Sequence, residues 1–170
     1  MSAKIYIIGL IGFIALLVGV AVFANNSGGQ TQTPKTPEIT YSSSDAERPK
    51  AEASVTNFDL GDMKVSEDKK QDFEIKNTGS KPLQILNVSS SCGCTTGQII
   101  YKDQESPEFG MHSQSAFVTE IAPDDSAKVR VTYRPSVMPV YGAVEREVYV
   151  TTNDPDNGRM VFSVTANVKE

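Results

Sequence analysis

Tryptophan is absent from the 170 residues, histidine occurs once and cysteine only twice. Each scarcity closes off some chemistry. Without tryptophan or a widely spaced cysteine pair, the antibody-type core of a buried indole beside an inter-sheet disulfide is excluded. A cysteine nucleophile needs a base and an orienting partner, and His112 is the only imidazole, which argues against an enzyme. No stretch after Ala24 sustains a 3.6-residue apolar period, so amphipathic helices do not form the framework. A surplus of basic residues is missing too. Through residue 53, Lys4, Lys35, Arg48 and Lys50 cancel Glu38, Asp45, Glu47 and Glu52, so the net charge of -5 falls on residues 54–170. An acidic domain of this kind argues against nucleic acid as a partner.

The one long apolar run, Ile5 to Ala24, carries no charge and spans roughly 30 Å as a helix, one bilayer crossing. The expectation is a retained N-terminal transmembrane anchor over residues 1–24, making the membrane a partner through residues 5–24. Val22-Phe23-Ala24 before Asn25 leaves a cleaved signal peptide as the alternative. Lys4 keeps the N-terminus cytoplasmic and places the C-terminal part outside the cytoplasm. Residues 25–53, rich in Ser, Thr, Gly and Pro with few large apolar side chains, read as a disordered linker.

Beyond the linker the chain is written in alternation. From Ala127 to Arg134, Ala127, Val129, Val131 and Tyr133 share one face and Lys128, Arg130, Thr132 and Arg134 the other, the pattern of a half-buried strand. Met160, Phe162, Val164, Ala166 and Val168 repeat it. Val144 to Thr152 is a further strand, joined to the last through the turn-forming Asn153-Asp154-Pro155-Asp156-Asn157-Gly158. Shorter strands are expected near Val55–Leu60, Gln71–Lys76 and Leu83–Val88. The fold class is therefore all-β, an Ig-like sandwich of about seven strands over residues 54–170, held together by burial of Val, Ile, Phe and Leu. Arg146 falls on the apolar side of its strand, where a charge is expected to lie at an edge or to pair with a carboxylate.

Phe73-Glu74-Ile75-Lys76-Asn77-Thr78-Gly79, Pro82-Leu83-Gln84-Ile85, Ser91-Cys92-Gly93-Cys94-Thr95-Thr96 and Thr152-Asn153-Asp154-Pro155 together resemble the bacterial family grouped as domain of unknown function 1573. The resemblance covers most of residues 54–170, and Cys-Gly-Cys-Thr is its specific element. It implies a small Ig-like domain of the Hydin and PapD type carried outside the cytoplasmic membrane, and it implies no known activity. Between Cys94 and Ala127 lies Gly97 to Asp125, longer than a compact sandwich needs for a link.

Cys92 and Cys94 admit three readings. On an extended strand their Cα atoms would lie roughly 6.6 Å apart, at the outer limit for a disulfide, and Gly93 can bend them closer. Two thiolates are also soft ligands for monovalent copper or zinc, with Met111, His112 and Met138 as candidate helpers. The third reading is two small buried residues. Asp124-Asp125 and Asp154 with Asp156 could hold calcium, but their turn sequences point to carboxylates that serve the backbone. The function expected on these grounds is non-enzymatic binding of a protein or cell-envelope partner along an exposed strand edge. The alternative is a copper-binding or thiol-redox protein that uses Cys92 and Cys94.

Overall fold

The alternation of Ala127, Val129, Val131 and Tyr133 builds the strand it predicts, and all four side chains are buried. The computed structural model describes residues 37–113 and 117–170. Ten strands are present among them: β1 Ala51–Glu52, β2 Asn57–Lys64, β3 Lys69–Asn77, β4 Leu83–Ser90, β5 Thr95–Tyr101, β6 Gln104–Glu105, β7 Thr119–Ile121, β8 Ser126–Tyr133, β9 Gly142–Thr152 and β10 Arg159–Lys169. One sheet has the order β1-β3-β8-β5-β6 and the other β2-β10-β9-β4-β7. Pairing is antiparallel except between β2 and β10. Apart from a 3-10 turn at Pro135–Val137, the described residues contain no helix, and none is long and apolar enough to cross a membrane. The predicted anchor, Ile5–Ala24, lies outside the described residues.

The inward faces meet in one apolar layer. Phe73 of β3 and Phe162 of β10 stack across it with ring centroids 5.4 Å apart, ringed by Ile75, Ile85, Val88, Val129, Val148 and Val164. Close approach of the sheets also requires Gly97 of β5. A Cβ there would lie 2.5 Å from Val148 Cγ1 and 2.8 Å from Val88 Cγ1.

Ten strands exceed the expected seven, and the difference lies mainly in the stretch from Gly97 to Asp125. β5 hides because its inward residues are Thr95, Gly97, Ile99 and Tyr101, a set that does not read as an apolar face. The chain then folds back along β5. Gly97 and Phe109 exchange backbone hydrogen bonds of 2.9 and 2.8 Å, and Ser106 N–H donates to Ile99 O. β7 continues the path to β4, so the long segment covers one edge of each sheet.

The described part of the predicted linker, residues 37–53, packs on the sandwich through polar contacts that composition does not reveal. Ile39 N–H donates to Gln84 Oε1 at 2.9 Å, Arg48 pairs with Asp156 at 2.6 Å, and β1 joins β3. Arg146 also departs from expectation, because β9 is an inner strand and, among the described residues, no carboxylate pairs with it. Its guanidinium lies over the Tyr133 ring at 5.5 Å and donates to Glu145 O.

Candidate functional site

The strands run between two poles, and the motif residues sort cleanly between them. At the pole where the described chain enters, Asn77 is fully buried and fully used. Its Nδ2 donates to Lys81 O and Ile121 O, and its Oδ1 accepts from Lys50 N–H and Gly79 N–H. Gly79 sits so close to residues 48–50 that a Cβ would lie 2.3 Å from Arg48 O. Asp154, 1% exposed, accepts from Ala51 N–H, Asp156 N–H and Asn157 Nδ2. Asp125 accepts from the Tyr101 hydroxyl and Ser126 N–H, and the Tyr101 bond holds its carboxyl below the usual carboxylate range. The paired aspartates thus serve turns and neighbouring side chains. Among the described residues no three His, Cys, Asp or Glu side chains gather into a cluster able to hold a metal.

At the opposite pole, Ser91-Cys92-Gly93-Cys94 carries the chain from β4 in one sheet to β5 in the other. The turn is tied to both. Ser91 N–H donates to Glu147 O at 2.9 Å, Arg134 N–H donates to Cys94 O at 2.8 Å, and the Ser90 hydroxyl and Thr95 N–H both donate to Cys92 O. Across Gly93 the turn brings the two cysteine Cα atoms to 5.3 Å, and Cys92 and Cys94 are joined as a disulfide. Their surroundings differ. Cys94 is 2% exposed within the apolar core, whereas Cys92 is half-buried. Thr95, fully buried, holds its hydroxyl 3.4 Å from Cys92 Sγ and 3.9 Å from Cys94 Sγ.

Met138 does reach this pole. Its Sδ would lie 3.9 Å from a Cβ added to Gly93. Met111 and His112 stand in an exposed turn closed by Ser113 N–H on Gly110 O, and the polar neighbour of the sulfurs is Thr95 rather than His112. With its sulfurs bonded to one another, the pair offers no thiolate to a metal in this state. The proximity of Thr95 was not legible in the sequence, because β5, whose first residue it is, carries no apolar alternation.

Arg134 braces the same turn from the outer face. Its guanidinium meets Glu108 at 2.8 Å, Thr96 Oγ1 at 3.1 Å and Asp68 at 3.4 Å, and its bond to Glu108 holds that carboxyl below the usual range. Beneath it, the Tyr133 hydroxyl and Arg146 Nε are buried without a hydrogen-bond partner among the described residues. Val137, Met138, Val140 and Tyr141 form an exposed apolar rim beyond.

A second feature lies along the side of the sandwich. Asn77 turns its backbone N–H and C=O toward the 124–125 turn that leads into β8, so by the strand period Lys70, Asp72 and Glu74 point theirs the other way. On that side β1 pairs only with Lys76 and Asn77. Gln71 Nε2 caps Asp72 O, the rest of the edge pairs with no strand among the described residues, and a cleft lined by Ala53, Ser54, Thr56 and Met160 lies beside Glu74. The β2 edge is blunted instead. A bulge with Gly61 at φ +68° interrupts it, and Lys69 Nζ donates to Leu60 O and Asp62 O.

A solved protein of unknown function from Porphyromonas gingivalis W83 shares this fold at 24% identity and a TM-score of 0.55, with the match covering 72% of this chain and 48% of that one. The chain thus spans about half of that protein's length. The ASH/PapD-like domain 7 of human CEP192 is 15% identical at a TM-score of 0.43, covering 79% of this chain and 99% of that one. The CupB2 chaperone of Pseudomonas aeruginosa is 16% identical at a TM-score of 0.37, covering 68% and 54%. No curated protein matches the sequence. Residues 51–108, from β1 through the Cys-Gly-Cys turn to Glu108, match the family described as Protein of unknown function (DUF1573), the family that the motifs resemble.

Proposed function

We propose that the protein is a membrane-tethered binding module without enzymatic activity, anchored in the cytoplasmic membrane by residues 5–24 with its sandwich outside the cytoplasm. An extended segment of a protein partner adds to β3. The observation that carries this reading is the open edge at Lys70, Asp72 and Glu74, beside a neighbour, β1, only two residues long. Backbone hydrogen bonds along such an edge supply affinity, and the flanking cleft supplies choice of side chain. The apolar charge-free run before the domain supports the tether, and Lys4 supports the orientation.

A library of random linear peptides displayed on phage is the direct probe. Peptides selected by the full-length protein should slow amide exchange at Lys70, Asp72 and Glu74 on binding. They should also lose affinity for Lys70→Pro, which deletes one outward donor and leaves the β3–β8 ladder its bonds. Selected peptides that protect other amides and ignore the proline would refute edge addition. In cells, a protein recovered with membranes and digested by protease added to spheroplasts fits the tether; a protease-resistant or freely soluble protein does not.

A further inference from the structure

We propose that the Cys92–Cys94 bond is an exchangeable disulfide that opens by attack of an external dithiol on Cys92. It is independent of the β3 edge. Three observations carry it. First, the bond spans a sequence separation of two, so it closes a ring too small to restrict the unfolded chain much, and an apolar core already joins the sheets without it. Stabilisation alone does not account for it. Second, the sulfurs are unequal, Cys92 half-buried beside the exposed Gly93 and Cys94 sealed in the core, so an incoming thiolate reaches only one of them. Third, the buried Thr95 hydroxyl stands 3.4 Å from Cys92 Sγ and 3.9 Å from Cys94 Sγ, so a donor is already at hand for the charge that appears on Cys94 when the bond breaks.

The step balances without a further reagent. A thiolate of the dithiol bonds to Cys92 Sγ while the Cys92–Cys94 bond breaks, and the electron pair leaves on Cys94 Sγ, which accepts the Thr95 hydrogen bond and then a proton from water. The second thiolate of the dithiol attacks its own sulfur in the mixed disulfide and releases Cys92. Two electrons and two protons have passed to the protein, and the dithiol has become a disulfide. Reversal of the same path reoxidises the pair. Ties from Ser91, Cys92 and Cys94 backbone groups to Glu147, Ser90, Thr95 and Arg134 hold the turn in place, so the exchange needs no unfolding of the sandwich.

The test uses the full-length protein and two single-cysteine variants. Treated with oxidised glutathione under native conditions, Cys94→Ser, which keeps Cys92, should form the mixed disulfide at least about tenfold faster than Cys92→Ser, which keeps Cys94. In denaturant the two rates should converge. Equal native rates, or a faster Cys92→Ser, would overturn the assignment of Cys92 as the entry point. The wild-type protein guards against misfolded variants. Dithiothreitol should reduce it at a rate independent of low urea concentrations, with an unchanged far-ultraviolet circular dichroism spectrum and a mass gain of two hydrogens. Reduction that proceeds only as fast as global unfolding would refute the proposal.

Discussion

Single side chains account for much of what the sequence could and could not disclose. Asn77 and Asp154 stand in stretches that read as turns, and a turn is what each builds, but the sequence carries no sign that both are buried. Burial comes from partners far along the chain: Ile121 for Asn77 and Ala51 for Asp154. Removing such a hub strands several donors at once. Asp154→Ala should lower stability by about 2–3 kcal/mol, read as a lower midpoint of urea unfolding, because Ala51 N–H and Asp156 N–H lose their acceptor. The opposite expectation holds for Tyr133. Its hydroxyl is buried and unmatched, so Tyr133→Phe should leave the melting temperature unchanged or raise it. A clear fall would identify a partner for that oxygen.

At the scale of elements, strands with branched or aromatic residues on alternate positions were legible, and β8, β9 and β10 lie where the pattern puts them. β5 was not, because a buried threonine and glycine carry the inward face that Val or Ile usually supplies. The candidate site shows the same division. The Cys-Gly-Cys turn was evident as a place, and the choice among its three readings needed the sheet-to-sheet crossing that brings the two Cα atoms to 5.3 Å. Gly97 turns the missed strand into a measurable claim. Gly97→Ala should cost about 1–3 kcal/mol by forcing a methyl group against Val88 and Val148. Adding Val148→Ala should recover part of that loss, so the double variant should be more stable than the sum of the two single changes allows. Strict additivity in thermal melts would mean that the sheets yield elsewhere.

For the molecule as a whole, charge is distributed as ladders across the sheets. Arg130 grips Asp72 at 2.7 Å and Glu105 at 3.1 Å, and the hydrogen bond from Arg130 holds Asp72 below the usual carboxylate range, as Arg134 does for Glu108. Both carboxyls are stronger acids in the folded protein than in the unfolded chain. Their contribution is complete above the ordinary carboxylate range and drains away as the pH falls below about 4, because the unfolded state takes up protons first. Urea midpoints should therefore stay level from pH 7 to about 5 and then drop. Arg130→Leu should make that drop shallower, and an unchanged slope would rule out the Asp72 pair as a contributor.

Lys69 reaches beyond its own strand in a way that concerns many molecules rather than one. By occupying Leu60 O and Asp62 O it leaves a neighbouring copy little to pair with along β2. On the proposed tether, copies would meet at effective concentrations far above those in dilute solution, where an unguarded β2 would favour pairing. Lys69→Ala should accordingly sediment in part as dimers or larger species, with the wild-type chain monomeric at the same concentration. One ammonium group would then decide whether copies meet along β2.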